Sequence, residues 1–127
     1  MDIKFTESSK DGTTCSGFYF RQPSKSVNEG SYSFTICDDA HYEIYYYGNE
    51  NWEVITRAKP ENTIHISDWN RIEIYARGDE FTFIINNSQV YTMTDDRLEK
   101  GELGIYIEVY EATITEIWFD NFGYQSR

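Results

Sequence analysis

Short runs in which apolar and polar residues alternate, each closed by turn-forming residues, recur along this chain of 127 residues. "SGFYFRQ" (16–22) sets Phe18 and Phe20 on one side and Tyr19 and Arg21 on the other. "GSYSFTIC" (30–37) sets Tyr32, Phe34 and Ile36 against Ser33 and Thr35. The same period of two runs through "HYEIYYY", "NWEVITR", "WNRIEIYAR", "EFTFIIN", "SQVYTMT", "ELGIYIEVYE" and "TITEIWFDNF", about nine segments in all. Between them lie turn-formers such as "PSKSVNEG", "GNE", "RGDE", "NN" and "DDRLEKG". No apolar period of 3.6 persists for three turns. The pattern predicts an all-β protein, a two-sheet antiparallel sandwich or barrel. The length suits one β-sandwich domain over residues 1–127, with a core that needs neither a metal nor several disulfides.

The hairpin "FTFIINNSQVYTMTDD" (81–96) turns on Asn86-Asn87, without a glycine. A two-residue type I′ turn needs positive φ at both central positions, and asparagine is the best substitute for glycine there. Centred on this turn, the register pairs Phe83 with Val90. "NNS" is also an N-glycosylation sequon in form, although turn chemistry explains it.

A net charge of −11 repels phosphate backbones and anionic lipid surfaces, so no nucleic acid partner is expected. No apolar run approaches the length of a membrane-spanning helix, so no membrane insertion is expected. "DIKFTESSKDG" after Met1 reads as a charged segment without the apolar stretch of a signal peptide.

The second half carries Asn70, Ile72, Ile74, Gly78, Asn86, Val90, Thr94, Asp95, Asp96, Gly101, Gly104 and the closing Phe119-Asp120-Asn121-Phe122. In this order and spacing they resemble the concanavalin A-like jelly rolls of bacteria, in the laminin-G-like and keto-disaccharide-hydrolase-related groups. "GFYFRQ" and "YSFTI" fit the opening strands of the same family. Asn87 departs from it where glycine is usual, and the chain starts late, so the resemblance implies a roll lacking one or two N-terminal strands. It further implies a recognition module of a larger bacterial protein, extracellular or on the cell surface, with a hydrolase-related domain or a purely structural, protein-interaction domain as alternatives. It leaves the oligomeric state open.

Catalytic residues are not assigned. Jelly-roll glucanases use closely spaced acids on one strand face. The nearest pair here, Glu108 and Glu111, falls on opposite faces of a regular strand. His41 and His65 show no partner at a metal-ligand spacing, and no metal ligand is assigned. Calcium is the one cofactor left open, at Asp38-Asp39, Asp95-Asp96 or Asp120-Asn121. The outward-facing residues give the functional lead. Arg21, Tyr45, Tyr47, Glu73 and Tyr75 are expected on one sheet face, where aromatic rings and charged groups suit a glycan.

Cys15 and Cys37 flank two consecutive strands. With the loop centred near residue 26, Phe18 lies opposite Phe34, Phe20 opposite Tyr32 and Cys15 opposite Cys37. Directly opposed residues have Cα atoms about 4.5 or 5.5 Å apart, inside the roughly 4.4–6.8 Å that a disulfide spans. A cross-strand bridge is therefore permitted wherever the compartment oxidises thiols.

Overall fold

The computed structural model describes residues 1–8, 10–24, 29–110 and 115–125. Among these described residues ten strands form: β1 (Asp2–Glu7), β2 (Thr14–Gln22), β3 (Ser31–Cys37), β4 (Tyr42–Gly48), β5 (Asn51–Ala58), β6 (Asn70–Arg77), β7 (Glu80–Ile85), β8 (Ser88–Thr94), β9 (Glu102–Val109) and β10 (Glu116–Asp120). They make two five-stranded sheets, ordered β10-β1-β6-β7-β8 and β5-β4-β3-β2-β9. Every pairing is antiparallel. No α-helix occurs among the described residues.

The alternation builds the core directly. Ile3, Phe34, Ile36, Ile44, Ile72, Phe83 and Ile85 come from both sheets and are fully buried, each contributing on the order of 1.5–3 kcal/mol relative to exposure. Phe20, Tyr32, Phe81 and Phe83 interlock as tilted or stacked rings with centroids 5.3 to 6.4 Å apart. β1 is a tenth strand, added to the nine segments that alternation marked. Ile3 and Phe5 are buried while Asp2, Lys4 and Thr6 face outward, and β1 bridges β10 and β6. Charge on alternate residues is what one solvated sheet face requires.

The register of β2 on β3 is Cys15↔Cys37, Phe18↔Phe34 and Phe20↔Tyr32. The cysteines are bridged, with Cα atoms 4.0 Å apart across a sequence separation of 22. Closing a loop of that length stabilises the fold by about 3 kcal/mol in the chain-entropy account.

Asn86 and Asn87 have φ of 49° and 66°, as the type I′ turn demands. The register beyond the turn differs from expectation. Ile85 faces Ser88 and Ile84 faces Gln89, but a bulge then brings Phe83 opposite Tyr91 rather than Val90. The extra residue lets Val90, Tyr91 and Met93 all pack against the core, and the Val90 carbonyl accepts the Tyr42 hydroxyl at 3.1 Å.

Candidate functional site

The outer face of the β5-β4-β3-β2-β9 sheet is built as a furrow. Along its middle, β3 places Ser31, Ser33 and Thr35, and β2 places Gly17, all short. Large rings stand on the flanking positions. The register lines up Trp52, Tyr47 and Ser31 in one row and Val54, Tyr45, Ser33, Tyr19 and Gly104 in the next. Arg57, Glu43, Thr35, Gly17 and Tyr106 form a third. Gly104 makes room for Tyr19, since an added Cβ there would lie 2.2 Å from that ring.

Trp52 is held in place while remaining about half exposed, at 54%. Its ring lies 4.6 Å from Tyr47 and 5.8 Å, edge-on, from Tyr45. A cleft of about 470 Å³ crosses all five strands, lined by Tyr19, Gln22, Ser31, Ser33, Tyr47, Trp52 and the 105–107 segment of β9. Burial, followed by the charges of Glu108 and Glu43, pushes the Tyr106 hydroxyl up to about 12. Burial and the Glu43 charge also raise Tyr45. Both therefore stay neutral donors at physiological pH.

Further along the same face lies a polar cluster. His41 Nδ1 bonds Asp39, and its Nε2 lies 2.8 Å from Glu43 Oε1. Arg57 approaches the same oxygen at 3.2 Å. Burial opposes the His41 charge, but the bonds to Glu43 and Asp39 outweigh it and raise its pKa. Burial raises Glu108; the Tyr110 bond opposes this and the Glu43 charge adds to it. Glu108 pairs with Cys15 across β9 and β2, so the disulfide lies beneath this cluster.

The expected one-face grouping needs correction. Tyr45 and Tyr47 lie on this face. Arg21 does not, because a bulge between Tyr19 and Gln22 puts it at φ 52° and turns it toward the other sheet. There its guanidinium covers the Phe81 ring at 4.5 Å and donates to the carbonyls of Gly78, at 2.6 Å, and Leu98, at 3.1 Å. Glu73 and Tyr75 belong to β6, hence to the opposite sheet, where Tyr75 donates to Glu73 at 3.1 Å. His41, read as showing no partner at a metal-ligand spacing, has Asp39 and Glu43 because the tight β3–β4 connection folds them together. His65 uses its backbone to hold the Asn70 side chain. Glu111 lies outside the described residues.

Of the pairs considered for calcium, Asp38 accepts the amides of Lys10 at 2.9 Å and Gly12 at 2.8 Å. Asp95 accepts the Tyr32 hydroxyl and Arg97. Asp120 accepts the Asn121 amide.

Tyr106 was not singled out from the sequence, and Trp52 was not assigned to the site. Trp52 was within reach of the sequence: counting out from Asn49-Glu50, a second turn with positive φ at both residues, pairs Gly48 with Asn51 and Tyr47 with Trp52.

The model of the 3-keto-alpha-glucoside-1,2-lyase-like domain family matches residues 1–123. Among solved structures, the carbohydrate binding module CBM66 from Bacillus subtilis superposes with a TM-score of 0.74 at 18% identity, over 94% of this chain and 68% of that one. Sheep galectin-11, in complex with glycerol, superposes with a TM-score of 0.57 at 12% identity, over 92% and 86%. These likenesses establish the jelly-roll sandwich. A search of curated protein sequences gives no match.

Proposed function

The chain belongs to the 3-keto-alpha-glucoside-1,2-lyase-like domain family, and on that premise we propose that it recognises carbohydrate through the aromatic cleft of the β5-β4-β3-β2-β9 sheet. The observation that carries the reading is the cleft itself: Tyr19, Tyr47 and Trp52 standing over a serine floor. Pyranose rings present C–H faces that stack on exposed aromatics, while hydroxyls need short polar partners close by. Gln22, Ser31 and Ser33 supply the polar partners. Trp52 is braced by Tyr45 and Tyr47 before any ligand arrives, so little ordering entropy is lost on binding. The two structural neighbours, a carbohydrate binding module and a galectin, support the same reading.

Glycan-array screening followed by calorimetry tests it. The expected result is binding of a neutral or keto-sugar oligosaccharide that weakens on the order of ten-fold or more in Trp52→Ala and is unchanged in Tyr75→Ala, on the other sheet. An array without binders, or a Trp52→Ala variant of full affinity, would sink the proposal. A second reading, an enzyme acting on such sugars, is favoured by Glu108, whose raised pKa suits a general acid. Product formation from a 3-keto-disaccharide, lost in Glu108→Gln, would select it.

A further inference from the structure

The residues around the disulfide make up a second arrangement of the same atoms. Cys15 and Cys37 face each other on β2 and β3. His41 and Glu43 follow at the start of β4, brought back by a tight connection in which the Cys37 amide donates to the His41 carbonyl at 2.8 Å. All four side chains are buried, and their ligand atoms lie within 4.8 Å of one another. Glu43 is fully buried, yet its Oε2 has no hydrogen-bond partner. A buried carboxylate oxygen without a donor is costly unless a cation or proton meets it.

We propose that, when the disulfide is reduced, Cys15, Cys37, His41 and Glu43 form a tetrahedral site for a divalent cation of the zinc class. Two thiolates, an imidazole and a carboxylate are a borderline-soft donor set that suits Zn²⁺. Asp39 holds the other ring nitrogen of His41 and so presents Nε2 to the metal, the role of the outer carboxylate in carboxylate–histidine–zinc sites. Bonds of about 2.3 Å to sulfur and 2.0–2.1 Å to nitrogen place ligand atoms roughly 3.3–3.8 Å apart. His41 Nε2 and Glu43 Oε1 already stand 2.8 Å apart, so shifts of about 1 Å assemble the set once the sulfurs separate.

The chemistry balances with a dithiol as reductant. It delivers two electrons and two protons to the bridge and leaves as its own disulfide, giving the Cys15 and Cys37 thiols. Zn²⁺ then displaces to solvent both thiol protons and the proton held between His41 Nε2 and Glu43 Oε1, and binds His41 neutral at Nε2. Three anionic ligands and one dication leave a single negative charge, which Arg57 offsets from its place beside Glu43. Bridge and metal use the same two sulfurs, so each state excludes the other. Either one ties β2 to β3 at the same point.

Reduced under argon with a phosphine, stripped of metal and titrated with Zn²⁺, the full chain is expected to bind about one ion, and the oxidised chain none. Co²⁺ in place of zinc is expected to show thiolate-to-metal charge transfer and the visible bands of a tetrahedral ion. Asp39→Asn should weaken zinc binding about 10- to 100-fold at unchanged stoichiometry. A reduced chain that keeps its β-sheet circular dichroism and takes up no zinc overturns the proposal. So does a reduced chain that unfolds and is not restored by zinc. Unchanged affinity and an unchanged cobalt spectrum in His41→Ala overturn it as well, since the thiols would then be binding without the site.

Discussion

The Asn86-Asn87 turn places one amino acid twice in the same backbone region, and glycine substitution at the two positions is expected to act with opposite sign. Both residues have positive φ, 49° and 66°, which costs an ordinary L-residue about 1–2 kcal/mol. Glycine removes that strain but adds unfolded-chain entropy of roughly 0.4–1 kcal/mol. Asn87 is exposed, so Asn87→Gly is expected to gain about 0.4–1 kcal/mol net. Asn86 is anchored. Its Oδ1 accepts the Arg71 amide at 2.8 Å, and its Nδ2 donates to the Thr63 carbonyl at 2.8 Å and to Asn70 Oδ1 at 2.9 Å. At about 1 kcal/mol for each bond, Asn86→Gly loses roughly 3 kcal/mol and regains well under half of it from strain relief. The net loss is about 2 kcal/mol. Urea unfolding followed by tryptophan fluorescence reads both effects. For a slope near 2 kcal/mol/M the midpoint should rise by about 0.2–0.5 M in Asn87→Gly and fall by about 1 M in Asn86→Gly. Midpoints that move in the same direction would refute the account, because strain would then govern both positions or neither.

Gly17→Ala should cost about 3 kcal/mol or more, since its Cβ would sit 2.0 Å from the Phe34 carbonyl oxygen; a midpoint within experimental error of wild type would show that β2 can shift away from β3. Burial opposes ionisation of Asp95, but bonds from Arg97 and Tyr32 hold its pKa down to about 2, below the ordinary 3.8. Its contribution is therefore present above about pH 4 and lost as pH falls toward 2, so Asp95→Asn should lower the midpoint at pH 7 and flatten its dependence on pH in that acid range; parallel pH profiles for the two proteins would contradict the assignment.

Alternation and turn chemistry are local, and what depends on them alone could be read from the sequence: the β class, the type I′ turn, and the β2–β3 register that opposes Cys15 to Cys37. Sheet membership is not local. Tyr45 and Tyr75 both occupy outward positions of amphipathic strands, and nothing in either strand says which of two sheets it joins. That is decided by pairings between segments far apart in sequence, such as β1 with β10. Bulges were equally hidden, because one extra residue leaves the composition of a strand unchanged while reversing every side chain beyond it. At Arg21 this turned an expected surface cation into a clamp between the sheets. The two effects bear on the candidate site differently. Its β4 residues, Tyr45 and Tyr47, pair with Ser33 and Ser31 in a ladder without a bulge and were foreseeable. Tyr106 reaches the cleft only because β9 crosses over to pair with β2, at a distance along the chain that no periodicity encodes.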